Sequence, residues 1–226
     1  MQPRISRIPC GTSFGFTLVE LLAVIAIIGV LVAIVSVNVG KIRDKAYAAR
    51  CVSNLRQIAT AVYAYSGDNH GMLPGPLFSG QGITVDRTKN QYQLSYFLSP
   101  YIGDVDSDAK HKADLFVCPA WAVATAGQAN AEIIYQLNGS AGNLSSIWGY
   151  PASGTNLGSP TRRIAEVLSA CMPAKTRILY EVDQQSSGIS PVGTSWYPTM
   201  AATPPHHTFY HALFFDTHVE AVAIPQ

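Results

Sequence analysis

Between Leu21 and Val37 only Gly29 and Ser36 interrupt an apolar run, and one carboxylate, Glu20, stands at its head. With the residues just before it the run reaches about 20 residues, enough at 1.5 Å per residue to cross the ~30 Å hydrocarbon layer of a bilayer. A charge near the middle of a lone membrane helix costs roughly 2.5–3.5 kcal/mol, and less near its end, so Glu20 asks for a partner. This stretch commits the N-terminal part of the chain to a membrane helix and sets what the remainder can be.

The residues ahead of the run narrow the reading. Met1 to Gly15 carries Arg4 and Arg7 but no apolar core, which excludes an ordinary secretory signal. A lipoprotein reading of Cys10 fails too, because Ile8-Pro9 is no hydrophobic region. Gly15-Phe16-Thr17-Leu18-Val19-Glu20 resembles the Gly-Phe-Thr-Leu-x-Glu motif of type IV prepilins and type II secretion pseudopilins. A plain anchor of a tethered enzyme would need neither Gly15, nor the aromatic at Phe16, nor Glu20.

The resemblance carries a full set of expectations. A prepilin peptidase cuts on the cytoplasmic side after Gly15, and Phe16 is then N-methylated. The chain sits in the bacterial inner membrane until an assembly platform packs it into a homo-oligomeric filament, periplasmic or extracellular. There the Phe16 amine and the Glu20 carboxylate of a neighbouring subunit pair in lipid, each offsetting the other's desolvation. The implied fold is α+β, a pilin-like lollipop whose long N-terminal helix packs on a small antiparallel sheet. Its parts are a leader at 1–15, the transmembrane half of the helix at 16–40, and a globular domain at 41–226 that includes the rest of the helix. Val37 departs from the family, many members of which have a Pro there; without it the helix has no reason to kink. Lys41, Arg43, Lys45 and Arg50 outnumber Arg4 and Arg7, so orientation rests on the motif rather than on charge counting.

Between Lys41 and Ser66 no helix breaker occurs, and Cys51, Leu55, Ile58, Val62 and Tyr65 recur at spacings of four and three. They form the face expected to pack on the globular domain, with a stop at Gly67-Asp68-Asn69-His70-Gly71, where a Gly or Asn takes the left-handed cap. The segments 50–58 and 65–74, with Val117-Cys118-Pro119, also resemble a bacterial prepilin-like subgroup marked by a C-terminal His-x9-Asp-Gly element. His206 and Asp216 have that spacing, with Thr217 in place of the Gly.

In the middle of the chain, 74–91 and 138–159 are rich in Gly, Pro, Ser and Asn and read as loops. Residues 115–118 and 133–137 read as strands, 160–167 as a short helix, and Arg177 to Val182 as a buried strand. Asp104, Asp106 and Asp108 alternate as a hard-cation ligand set would, although Ala109 and Leu115 rule out an EF-hand. The readings are a solvated turn or a calcium loop; no cofactor is expected, with calcium the possible exception here. Cleavage would remove Cys10 and leave Cys51, Cys118 and Cys171, enough for one internal disulfide. Cys51–Cys118 would staple helix to sheet, with Cys171 the competing partner.

His206, His207, His211, Asp216 and His218 fall within thirteen residues. They read either as a zinc-type metal site or as strands flanking a two-residue turn at Asp216-Thr217. There is no phosphate loop, Cys-x-x-Cys or His-Glu-x-x-His, so no catalytic residue is assigned and no enzyme is expected. Formal net charge is +1 without a basic stripe, which gives no footprint for nucleic acid. Three functions remain in view: a filament subunit, a minor tip subunit that binds a ligand or cargo, and a membrane-anchored metal enzyme.

Overall fold

The computed structural model describes residues 15–86, 91–103, 110–152 and 157–224. It opens with α1 (Leu18–Asp68), which stays helical through position 37. Over Leu18–Ser36 this helix is long and apolar enough to cross a membrane, and its described side chains are exposed. The Ser36 hydroxyl donates to the Val32 carbonyl at 2.7 Å, so the polar interruption is satisfied within the helix itself. The boundary between two compact units falls between Arg43 and Asp44.

The second unit begins with the remainder of α1. In chain order follow β1 (Gly80–Gly82), β2 (Thr84–Val85), α2 (Leu94–Leu98), β3 (His111–Lys112), α3 (Pro119–Ala124), β4 (Ile133–Leu137), β5 (Ser140–Ala141), β6 (Leu144–Ser145), α4 (Ile164–Ala170), β7 (Arg177–Glu181), β8 (Phe209–Phe214) and β9 (Val219–Ala223). A five-stranded antiparallel sheet has the order β1-β4-β7-β8-β9, while β2 pairs with β3 and β5 with β6. The fold is α+β, a helix laid on a small antiparallel sheet.

Side-chain period explains how the layers meet. On α1, Cys51, Leu55, Ile58 and Val62 are fully buried and share one cluster with Ile134, Leu179, Leu213 and Phe215. Residues three and four apart lie on one helical face, and residues two apart on one sheet face, so a helical stripe meets a strand stripe. On the other face of β8, Tyr210, Ala212 and Phe214 pack with Ile189. Polar contacts lock the docking: the Tyr63 hydroxyl donates to the Phe215 carbonyl, and Asn54 Nδ2 donates to the Val117 carbonyl at 3.1 Å. Cys51 and Cys118 are joined in a disulfide, and Cys171 is a free, partly exposed thiol.

Several local expectations are corrected. Residues 115–118 form no strand: a 3-10 turn covers Asp114–Phe116, and Cys118 caps α3, so the disulfide ties helix to helix. Pro119 starts α3 instead of closing a strand, since its fixed φ and missing N–H suit a first helical position. The stretch 74–91 contains β1 and β2. Gly80 is required there because a Cβ would come within 2.7 Å of the Trp196 ring. In 138–159 a hairpin forms from β5 and β6, turning at Gly142, whose φ is +58. The helix expected over 160–167 starts at Ile164. At the end of α1 the expected left-handed Gly is Gly71 (φ 77), preceded by a left-handed His70 (φ 55), and the Gly71 N–H closes onto the Ser66 carbonyl at 2.8 Å.

The C-terminal turn also differs from the two-residue form. Thr217 N–H donates to the Phe214 carbonyl at 2.9 Å, and Phe214 N–H to the His218 carbonyl at 3.0 Å. These bonds close a three-residue turn, Phe215-Asp216-Thr217, with Thr217 left-handed at φ 72, as a turn followed by a bulge requires.

Candidate functional site

Two places hold chemistry. The first is the head of α1. Thr17 N–H and Thr17 Oγ1 donate to Glu20 Oε2 at 2.9 and 2.8 Å, and Glu20 N–H reaches back to Thr17 Oγ1 at 3.3 Å. With Leu21 N–H on the Thr17 carbonyl, Thr17 is the N-cap and Glu20 the third helical residue of a capping box. Thr17-x-x-Glu20 ahead of an apolar run is itself a capping signature, and it was legible beside the family motif. Gly15, Phe16 and Glu20 are all exposed here, Phe16 at 79%.

The second place lies inside the globular unit. β7 ends on Glu181, 1% exposed, directly after the run Ile178-Leu179-Tyr180. His211, two residues into β8, donates its backbone N–H to Glu181 Oε2 at 2.8 Å, with its Nδ1 3.1 Å from the same oxygen. His206 lies on the loop before β8, its Nε2 3.4 Å from Glu181 Oε1 and 3.5 Å from Cys118 Sγ. It stacks on Phe209 with ring centroids 4.9 Å apart. Burial alone would raise the Glu181 carboxyl, but hydrogen bonds to His206 and His211, and their charge when protonated, outweigh it and hold it at about 2.

The five-residue C-terminal cluster therefore divides. His206 and His211 are buried on Glu181; His207 is exposed with φ 63. Asp216 and His218 belong to the hairpin turn, His218 donating its backbone N–H to Asp216 Oδ1 at 3.2 Å and stacking on Phe214. Asp104, Asp106 and Asp108 lie outside the described residues. Glu181 is the functional side chain that the sequence reading missed. The signal available was a carboxylate set between Tyr180 and Val182 in a buried strand, which no local residue could satisfy.

An antiparallel α+β domain, together with an exposed N-terminal helix long enough to cross a bilayer, is a pilin-like arrangement. Residues 12–36 match the family model described as the prokaryotic N-terminal methylation motif, a match that supports a type IV prepilin-like reading. No curated protein and no solved structure matches the chain.

Proposed function

We propose that the chain is a structural subunit of a type IV pilus or a type II secretion pseudopilus. It enters the inner membrane through α1, is cut by a prepilin peptidase after Gly15, and is methylated on Phe16. An inner-membrane platform then packs α1 against α1 of other copies, in a filament that reaches the periplasm or the exterior. The observation that carries this reading is a lone carboxylate in the first turn of a helix whose apolar side chains are exposed through Ser36.

In the single chain both Thr17 bonds fall on Glu20 Oε2. The other oxygen is the one to receive the Phe16 amine of a neighbour, so capping and pairing do not compete. Imaging of native filaments carrying a label on this chain tests the role. Label along the whole shaft supports a principal structural subunit. A few copies at one end would assign it to the tip, and none in any filament would overturn the proposal.

A further inference from the structure

The disulfide, Glu181 and His206 meet at one point. One ligand atom from each of Cys51, Cys118, Glu181 and His206 lies within 4.8 Å of all the others, and all four residues are buried. A disulfide needs neither a carboxylate nor an imidazole beside it. We propose that this cluster is a divalent-cation site of the zinc class in the reduced chain, with the Cys51–Cys118 bond as its oxidised counterpart. The proposal goes beyond filament assembly and does not depend on it.

The spacing supports it. A tetrahedral zinc holding sulfur at about 2.3 Å, imidazole nitrogen at about 2.05 Å and carboxylate oxygen at about 2.1 Å separates N from S by about 3.6 Å and N from O by about 3.4 Å. His206 Nε2 stands 3.5 Å from Cys118 Sγ and 3.4 Å from Glu181 Oε1. Of the two contacts, the one to Glu181 Oε1 is long for a hydrogen bond, beyond the usual 2.7–3.2 Å for nitrogen donors to oxygen. As edges of a coordination tetrahedron they already have the right length.

The surroundings are those of a ligand set. His211 holds Glu181 through Oε2, leaving Oε1 toward His206, and Phe209 fixes the His206 ring plane. Such outer partners orient metal ligands. An apolar cleft of about 230 Å³, lined in part by Tyr47, Ala48, Val123 and Phe209, has His206 in its wall and offers a way in. Two thiolates beside a buried carboxylate would be prohibitively costly without a cation to neutralise them. Two sulfurs in the set select zinc over calcium or magnesium.

The interconversion balances. A dithiol reductant gives two electrons to the Cys51–Cys118 bond by thiol–disulfide exchange and leaves as its own disulfide. The cation then takes both sulfurs as thiolates and releases their two protons. A disulfide-class oxidant reverses the exchange, re-forms the Cys51–Cys118 bond and expels the cation.

The test uses the full chain in detergent, reduced by a dithiol under anaerobic conditions, desalted and titrated with cobalt(II) and, separately, zinc(II). One cobalt per reduced chain with thiolate-to-metal charge-transfer bands is expected, and no such bands in the oxidised chain. His206→Ala should weaken binding more than about 100-fold, and His211→Ala, which removes only an outer partner, about 10–100-fold. Circular dichroism controls for folding: if reduction loosens the domain, zinc restores it. Absence of thiolate bands in the reduced chain, equal metal uptake by the oxidised chain, unchanged affinity in His206→Ala, or a reduced fold that zinc fails to restore would each overturn the site.

Discussion

Thr17 and Glu20 show how one side chain can carry two separable duties. The Glu20 carboxylate closes the capping box of α1, and under the proposed function its charge would also pair with a neighbour's Phe16 amine. Gln at the third helical position can also reach back to the cap, so Glu20→Gln keeps the first duty and discards the second, whereas Glu20→Ala discards both. Thr17→Ala should leave the charge and remove the cap, lowering helix stability by about 1 kcal/mol, seen as fraying of the first turn in hydrogen exchange. Thr217 is the other informative residue: at φ 72 it holds a left-handed conformation that costs an L residue roughly 1–2 kcal/mol. Thr217→Gly is expected to stabilise the domain by about 1 kcal/mol, a gain of a few degrees in melting temperature that calorimetry would detect.

Glu181 gives the chain its expected acid sensitivity. Its folded carboxyl lies at about 2 against an ordinary 4.5, a depressed value. The stabilisation is therefore complete above 4.5 and fades as the pH falls toward 2. Urea midpoints of the oxidised chain should drop across that window, and Glu181→Gln should be less stable at neutral pH and flatter over the same interval. An unchanged slope in Glu181→Gln would assign the acid sensitivity to other carboxylates.

At the scale of elements, α1 was legible because its packing stripe repeats over four turns, from Cys51 to Tyr65, long enough for a period to show. β7 and β4 were legible as runs of Ile, Leu and Tyr. The short strands β1, β2, β3, β5 and β6 were not, since two or three residues carry no alternation and their pairing is set by tertiary contacts such as Trp196 over Gly80. The buried triad was half legible: the histidines were visible, but Glu181 is 25 and 30 residues away from them, and only the β7–β8 pairing brings them together.

Two substitutions test the elements. Leu55→Ala opens a cavity in the α1–sheet interface and should cost about 2–5 kcal/mol in chemical denaturation. Replacing Cys51 and Cys118 by Ala removes a crosslink spanning 67 residues, worth roughly 4 kcal/mol by chain entropy, and should lower the midpoint without altering the antiparallel sheet signature in circular dichroism. For Gly142, whose added Cβ would sit 1.8 Å from the Ala170 carbonyl oxygen, even Ala should cost at least about 2 kcal/mol.

On the scale of the whole molecule, the apolar segment of α1 is exposed, and its length and composition suit a bilayer or the packed axis of a filament. The globular unit needs neither to be stable, because it has its own core, its own disulfide and a five-stranded sheet. Under the proposed function, this division would assign assembly to the N-terminal segment and leave the domain's surface for whatever the filament is used for. It also separates the two proposals: losing the metal site would leave assembly untouched, and losing Glu20 would leave the metal site intact.

The most direct test of the assembly reading compares wild type, Glu20→Gln and Glu20→Ala in the native filament system. Cleavage after Gly15 and methylation of Phe16 are followed by mass spectrometry, and incorporation by quantifying the chain in sheared filaments. Both variants should be inserted and cleaved normally, and both should incorporate roughly tenfold less or worse, because an unpaired amine in apolar surroundings costs more than 1 kcal/mol. Wild-type incorporation of Glu20→Gln would contradict charge pairing and reduce Glu20 to a helix cap.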